Sequence, residues 1–308
     1  MKVSIIGAGN VGGTLAQRIV EADLSDVVLV DIAQGFAQGK AYDLADSRSL
    51  TAHERRISGS TEYWETAGSD IVVITAGLAR QPGMTREELL KKNTETIRQV
   101  VKEVIRYSPQ AIILMVTNPL DILTYVALKS SGFPKHRIIG MGGVLDSARF
   151  VTLLAEELNV SYSCVQALVI GAHGDTMIPL TRYSTVSGIN ITELLSGEKL
   201  AGISQRTVKR GAEIVSLLGK GSAYYAPSAA AFKMVKAILK DERRIVSASV
   251  LCEGEYGLDD VCIGVPVRLG KNGVEEIISL QLSKEEKEQL SASAVSIKST
   301  LSSLILAH

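Results

Sequence analysis

The chain has 308 residues, of which 46% are hydrophobic and 21% charged, and its formal net charge at pH 7 is +0. This length exceeds the usual size of one domain, so we expect two packed lobes with a large core. The balanced charge argues against disorder and against a polyanion-binding surface, so nucleic acid is not expected as a partner. No apolar run reaches the length of a membrane span, and MKVSIIGAG enters a strand pattern at once. We therefore expect no membrane segment and no signal peptide, and predict a cytoplasmic protein.

The first half of the chain alternates short apolar runs with helical patterns. KVSIIG is followed by the helical pattern NVGGTLAQRIVEAD and then by VVLVD, which together predict a βαβ unit. DIVVITAG and AIILMVTNP repeat the apolar run, with REELLKKNTETIRQVVKEVIRY between them. The sequence therefore predicts an α/β fold with a doubly wound parallel sheet.

The pattern changes beyond about residue 145. Helical and strand-like stretches then follow in mixed order: LDSARFVTLLAEELN, SCVQALVIGAHG, QRTVKRGAEIVSLLG, RIVSASVLCEGEYGLDDVCIGVPVRLG and SKEEKEQLSASAVSIKSTLSSLI. This mixture predicts a C-terminal α+β substrate domain. The sequence shows no flexible linker between the halves, so the boundary rests on the change of pattern alone. It gives a first domain at residues 1–140 and a second at 141–308.

A glycine-rich turn follows the first predicted strand. Gly7, Gly9 and Gly12 form G-x-G-x-x-G, and Asp31 ends the next strand 19 residues after the last glycine. These glycines permit a tight turn, close approach of a pyrophosphate and packing of a helix on the sheet. A carboxylate at Asp31 can bind an adenosine ribose and repel a 2′-phosphate. The turn predicts a Rossmann-type site for NAD rather than NADP, the alternative being a glycine turn without a ligand.

The segment GLARQPGMTREELLKKN, residues 77–93, carries two arginines, Arg80 and Arg86, between Gly/Pro positions and the start of a helix. One guanidinium suffices to bind one anion, so the second requires an explanation. We expect the stretch from about residue 80 to 88 to be a lid that excludes water.

One of the four histidines stands out. His173 ends a strand-like run between two glycines, whereas His53, His136 and His308 are expected to be solvated. Asp146 and Arg149 lie at i and i+3 of a predicted helix, so they share one face. A structural histidine and a surface ion pair are the ordinary explanations. An acid that orients a histidine, beside an arginine that binds a carboxylate, is also what reduction of a small keto acid requires.

The three cysteines, Cys164, Cys252 and Cys262, lie far apart and show no CxxC spacing. This pattern is typical of a reducing compartment and predicts core positions rather than a disulfide framework or a zinc site. No metal site is expected.

Together these residues resemble the lactate/malate dehydrogenase family, most closely its malate-specific members that are lactate-dehydrogenase-like in sequence. The resemblance covers nearly the whole chain, with the following motifs in the family's order: GAGNVGGTLA, VDIAQGFAQGKAYDL, ITAGLARQPGMTREELLKKN, VTNPLD, GVLDSARF, VIGAHGDTMIPL and KGSAYYAPSAA.

The resemblance implies catalytic and substrate-binding roles. His173 is then the proton donor and acceptor, Asp146 its orienting partner and Arg149 the clamp on the C1 carboxylate. Arg86 is the arginine that polarises the reacting carbonyl, and Asn118 is a hydrogen-bonding neighbour of substrate and cofactor. The implied set of NAD-binding residues is Gly7, Gly9, Asn10, Val11, Gly12, Asp31, Thr75, Gly77, Asn93, Val116 and Asn118. Members of the family are commonly homotetramers and sometimes homodimers.

The resemblance also implies a role for Arg80, the additional arginine of the segment at residues 77–93. With Arg149 on one carboxylate and Arg86 on the carbonyl, Arg80 is left for a second carboxylate, so the expected substrate is the dicarboxylate malate or oxaloacetate. Lactate-specific members resemble this loop but carry an uncharged glutamine where Arg80 stands. Met84 and Ala223 also match the malate pattern, whereas Gln81 departs from the basic residue often found there.

The sequence alone leaves three other functional interpretations open. A lactate-specific enzyme is the nearest, and Arg80 discriminates against it. An NAD-dependent glycosidase of related fold needs a metal held by cysteine and histidine, for which the three cysteines are poorly placed. A non-catalytic NAD-binding module is disfavoured by the intact set of His173, Asp146, Arg149 and Arg86.

Overall fold

The structure is a computed structural model that describes residues 1–78 and 85–306. The helices of this part of the chain are α1 (Asn10–Glu21), α2 (Phe36–Asp46), α3 (Arg48–Thr51), α4 (Arg86–Tyr107), α5 (Leu120–Ser131), α6 (Gly143–Leu158), α7 (Ile191–Leu194), α8 (Gly197–Leu218), α9 (Tyr225–Leu239) and α10 (Lys284–Leu306). The strands are β1 (Lys2–Ile6), β2 (Asp26–Val30), β3 (Ile57–Ser60), β4 (Ile71–Ile74), β5 (Ile112–Met115), β6 (Ile138–Gly140), β7 (Val165–Gln166), β8 (Val169–Gly171), β9 (Met177–Pro179), β10 (Thr185–Val186), β11 (Ile189–Asn190), β12 (Arg244–Glu253), β13 (Asp259–Gly270) and β14 (Gly273–Ile277).

Six parallel strands build the first half in the order β3-β2-β1-β4-β5-β6. Both β4 and β5 are buried at every position, because helices cover both faces of such a sheet and leave no solvent side. The strand order reverses between β1 and β4, and in open α/β sheets the ligand crevice lies at the carboxyl ends of the strands at such a point. The predicted α/β fold with a doubly wound parallel sheet is confirmed.

The second half continues the same sheet with antiparallel strands. β12 pairs with β6, β13 with β12, and β8 and β9 follow, while β14 pairs with β13. A separate sheet has the order β11-β10-β7. This mixture of helices and antiparallel strands confirms the predicted α+β character. Because the sheet runs through residue 140, the boundary between residues 140 and 141 stays a prediction.

Two buried clusters hold the described residues together. The larger one covers both faces of the long sheet, and the smaller one surrounds Phe150, which is 0% exposed, on α6. α9 packs against α1, and the guanidinium of Arg18 on α1 donates to the Ser228 hydroxyl on α9 at 3.2 Å. The second half is thereby fixed to the helix that follows the glycine turn.

The sequence patterns located most of these elements and missed some. α4 spans the predicted REELLKKNTETIRQVVKEVIRY, and Thr85 begins it with a capping box in which its hydroxyl accepts from the Glu88 N–H at 3.1 Å. SCVQALVIGAHG is not one strand but β7 and β8, with residues 167 and 168 between them. The sequence patterns do not predict α2, β3 and α9. Both helices, α2 and α9, are rich in alanine and show weak helical periodicity.

Candidate active site

The glycine turn joins β1 to α1 at the crevice. Gly7 has a φ of +103°, which favours glycine. A Cβ at Gly12 would lie 1.9 Å from the Gly7 carbonyl oxygen, so only glycine lets α1 approach the strand. A Cβ at Gly9 would meet no atom within 4 Å among the described residues, which leaves this side of the turn open. The backbone therefore fits a pyrophosphate at the beginning of α1, where Asn10 and Val11 also lie.

Asp31 follows β2 and faces this turn. One carboxylate oxygen accepts from the Ala8 N–H at 2.8 Å and the other from the Ala33 N–H at 3.0 Å. Asp31 therefore braces the glycine turn in addition to its predicted contact with the ribose. Lys40 of α2 donates to the Gly9 carbonyl at 3.2 Å, and burial lowers the pKa of its ammonium.

Hydrogen bonds tie the loops after β4 and β5 to each other. The Thr75 hydroxyl donates to the Gly7 carbonyl at 2.8 Å, so the loop after β4 is fixed to the glycine turn. The Asn93 side chain, buried on α4, accepts from the Leu78 N–H at 2.8 Å and donates to the Asn118 carbonyl at 3.1 Å. A Cβ at Gly77 would lie 2.4 Å from a methyl group of Thr117, so the two loops are in close contact. The predicted cofactor residues thus meet at one edge of the sheet, where Val116 and Asn118 also follow β5.

His173 follows β8 and lies between two carboxylates. Its Nδ1 is 2.7 Å from Asp146 Oδ2, and its backbone N–H donates to Asp121 Oδ2 at 2.7 Å. The side chain of Asp146 is 2% exposed and that of His173 is 15% exposed. Burial alone would lower the pKa of His173, but the charge and hydrogen bond of Asp146, with the charge of Asp121, raise it above its ordinary value.

Arg149 lies one turn after Asp146 on α6. Its Nη1 is 3.4 Å from Asp146 Oδ1, and its Nε is buried with no hydrogen-bond partner among the described residues. Burial, together with the positive charge of Arg210, lowers the pKa of this guanidinium. A desolvated cation with an unused donor attracts a carboxylate ligand.

Some predicted site residues lie outside the described residues. Arg80 is one of them, as are Gln81 and Met84 of the same sequence segment. Arg86 is the first residue of α4, and its side chain likewise lies outside the described part of the chain. Their predicted roles, and the predicted lid, rest on the sequence.

The prediction for one histidine was wrong. His53 is 3% exposed, and neither ring nitrogen has a hydrogen-bond partner among the described residues, although its neighbours in HERR are polar. His136 is exposed, and His308 lies outside the described residues. Of the cysteines, Cys252 and Cys262 are buried and Cys164 is partly exposed. Across residues 1–78 and 85–306, no group of three or more histidine, cysteine, aspartate or glutamate side chains could hold a metal ion.

Sequence reasoning missed Asp121, which binds the main-chain N–H of His173 while Asp146 binds the ring. The signal was present, because LDILTYVALKSS is apolar on nearly all sides and an acid inside such a helix needs a partner.

A glycine turn braced by an acid, next to a buried acid-histidine pair, defines a nicotinamide-dependent oxidoreductase. Comparisons with known proteins agree. Residues 1–140 match the family model described as lactate/malate dehydrogenase, NAD binding domain, and residues 143–305 match that of the alpha/beta C-terminal domain. The chain belongs to the lactate/malate dehydrogenase family.

Relatives of this chain are named malate dehydrogenase. That of Methanosarcina barkeri is 50% identical over 303 residues, which are 98% of this chain and 99% of that protein. The solved structure of malate dehydrogenase from Salinibacter ruber is 49% identical with a TM-score of 0.95, covering 99% of this chain and 97% of that chain. A lactate dehydrogenase from Cryptosporidium parvum, solved with lactic acid and nicotinamide adenine dinucleotide, is 38% identical with a TM-score of 0.95, covering 98% and 97%.

Asp31 generates the first prediction. Asp31→Ser should raise the ratio of kcat/KM with NADPH to that with NADH, because it removes a charge that repels the 2′-phosphate. It should also weaken NADH binding, because the shorter serine side chain would lose the hydrogen bond that Asp31 accepts from the Ala8 N–H of the glycine turn. Steady-state kinetics with both cofactors measure the ratio. Asp26→Ser, at the other end of β2, is the matched control and should leave it unchanged. An unchanged ratio in Asp31→Ser would show that Asp31 does not read the ribose.

The hydrogen bond between Asp146 and His173 gives the second prediction. Asp146→Asn removes the charge that stabilises the imidazolium, so the pKa of His173 should fall. With His173 as the predicted proton donor, reduction of the substrate requires the protonated ring, so the alkaline limit of kcat/KM should move to lower pH. A pH profile of NADH oxidation measures this shift, with Glu156→Gln, an exposed carboxylate on the same helix, as control. A profile that coincides with the wild type would make Asp146 a purely structural residue.

Proposed function

We propose that this protein is an NAD-dependent malate dehydrogenase that interconverts malate and oxaloacetate, with His173 as the acid and base. The observation that carries the proposal is the buried cluster of Asp146, His173 and Arg149, hydrogen-bonded through His173 to the segment that follows the cofactor loops. Family membership and the relatives named malate dehydrogenase support it.

The cofactor site is proposed at the residues around the crevice. The backbone of Gly9 and the first turn of α1 would hold the pyrophosphate, and Asp31 the adenosine ribose. Thr75, Gly77, Asn93, Val116 and Asn118 would line the path toward His173. When bound, NADH supplies the hydride in reduction and NAD⁺ accepts it in oxidation.

The chain's own residues manage the proton and the substrate. Because Asp146 binds Nδ1, the ring of His173 keeps Nε2 for the substrate oxygen, to which it gives a proton during reduction. Asp146 holds the ring orientation and stabilises its positive charge. Arg149 binds the C1 carboxylate through the donors that Asp146 does not use. From its position in the family motif, Arg86 acts on the carbonyl oxygen, where negative charge develops.

The substrate assignment within the family rests on Arg80. A dicarboxylate brings one more negative charge than pyruvate, and enclosing it without another cation would bury an unpaired charge. Arg80 supplies that cation in the sequence motif, so we assign malate and oxaloacetate rather than lactate and pyruvate.

We also propose a cytoplasmic homotetramer or homodimer, in keeping with the family resemblance, without nucleic acid or membrane partners. Within the described residues, no helix has the length and apolar character needed to cross a bilayer.

A kinetic comparison tests the function directly. With NADH, the purified protein should reduce oxaloacetate with a kcat/KM at least about 10²-fold above that for pyruvate, and NADPH should be the poorer cofactor. His173→Ala should lower kcat by roughly 10²- to 10⁴-fold, the range for a lost general acid, while NADH still binds by fluorescence titration. Near-normal turnover in His173→Ala, or a preference for pyruvate, would contradict the proposal.

The choice of substrate is tested at Arg80. Arg80→Gln should lower kcat/KM for oxaloacetate by roughly 10²-fold or more, because the second carboxylate loses a charge-assisted bidentate partner. Activity on pyruvate should rise, since no unpaired cation is then left beside it. Arg80→Lys is the matched control, which keeps the charge but not the fork and should retain the preference for oxaloacetate at a lower rate. If Arg80→Gln kept the full preference, the second carboxylate would be bound elsewhere.

A further inference from the structure

Asp121 is a buried carboxylate to which the proposed reaction gives no role. It lies in the first turn of α5 and is 5% exposed. One oxygen accepts the His173 N–H at 2.7 Å, while the other is buried without a hydrogen-bond partner among the described residues. An acid in such a place costs stability, so a benefit elsewhere in the molecule is required.

His173 is held at two points by two helices. Asp121 binds its main chain from the first turn of α5, and Asp146 binds its ring from the first turn of α6. Both carboxylates lie where the helix dipole favours negative charge, which lowers the cost of burying two acids together. The backbone contact matters because His173 stands between Gly171 and Gly174, whose φ angles of +87° and +153° leave the chain around it free to take other conformations.

We propose that Asp121 is a positioning residue for proton transfer, which fixes the main chain of His173 by a charge-assisted hydrogen bond and places a second negative charge beside the imidazolium. This inference rests on the proposed function, because it acts through the acid-base role of His173.

Two opposing effects act on the pKa of the Asp121 carboxyl group. Burial raises the pKa of Asp121, while the hydrogen bond from the His173 N–H stabilises the ionised form. The negative charge of Asp146 acts in the same direction as burial. Protonation of His173 adds a positive charge between the two acids, so the ring and the carboxylates stabilise each other's charged forms.

The groups that face Asp121 from the neighbouring elements are few. The loop after β8 brings His173, and α6 brings Asp146. β13 brings the Cys262 thiol, whose pKa is raised by burial and further by the charge of Asp121. β12 contributes the uncharged Ser249. Among these groups, the positive charge that can compensate Asp121 is therefore that of protonated His173.

Asp121→Asn separates the charge from the hydrogen bond, because the amide oxygen can still accept the His173 N–H. The chain has four histidines, so NMR of ring-labelled histidine can follow His173 in the NADH-bound protein, with His173→Gln to assign its signal. The titration midpoint of His173 should move to lower pH. At pH values above the His173 midpoints of both proteins, kcat/KM of Asp121→Asn for oxaloacetate should be on the order of 10-fold below that of the wild type. At pH values below both midpoints, it should approach the wild-type value.

Asp121→Ala removes the anchor together with the charge. It should lower kcat at every pH, in contrast to Asp121→Asn, whose loss depends on pH. Thr124→Val is the matched control, because the Thr124 hydroxyl is buried one turn further along α5 and donates to the Leu120 carbonyl at 2.8 Å. It should leave the midpoint of His173 in place. Circular dichroism confirms folding, and if Asp121→Asn does not fold, Asp121→Ser provides a smaller acceptor without charge and should show the same shift.

A His173 midpoint in Asp121→Asn equal to that of the wild type would overturn the electrostatic role. Wild-type kcat in Asp121→Ala would overturn the anchoring role. Failure of the proposed function is distinguishable from both, because the histidine titration requires no turnover. A wild-type protein that does not reduce oxaloacetate would contradict the proposed function while the titration still reports on Asp121.

Discussion

The contact between His173 and Asp146, 2.7 Å long and almost closed to water, sets the requirement that the rest of the site meets. A buried acid must be hydrogen-bonded or neutralised, and a buried imidazolium needs negative charge beside it. The fold meets both needs with two helix N-termini that point their acids at one residue. Arg149 then shares Asp146 with the ring, so the position of the proposed substrate clamp and the protonation of the proposed acid-base residue depend on the same carboxylate.

His173 is tied to the loop after β4 by the segment that joins β5 to α5. At one end, the Asn118 carbonyl accepts from Asn93, which also binds the main chain of Leu78 after β4. Three residues later, Asp121 accepts from His173. Displacement of this segment would therefore move the loop after β4 and the main chain of His173 together. It would couple the geometry of the proposed cofactor site to that of the proposed proton transfer.

The sequence predicted those parts of the site that depend on local pattern. The turn from Gly7 to Gly12 and the i,i+3 spacing of Asp146 and Arg149 are local, and the structure places both as the pattern implies. The pairing of Asp146 with His173 was known only from the family resemblance, because 27 residues separate them and local spacing says nothing about such contacts. An acid within an apolar helix marks Asp121 as a residue that needs a partner, but tertiary packing decides which partner that is. The burial of His53 was not predicted, since it too depends on the packing of other elements.

The described charges also support the proposal that the substrate preference depends on Arg80, in the segment before α4. Arg149 already shares Asp146, so the donors that remain, including the unpartnered Nε, suit one carboxylate. Among the described residues, Arg210 is the other cation that acts on Arg149, and its guanidinium binds Glu213 at 3.0 Å. A second carboxylate placed here would lack a free cation and would repel Asp146. Under the proposed function, the additional arginine of the family motif, Arg80, would therefore decide whether a dicarboxylate or a monocarboxylate is the better substrate.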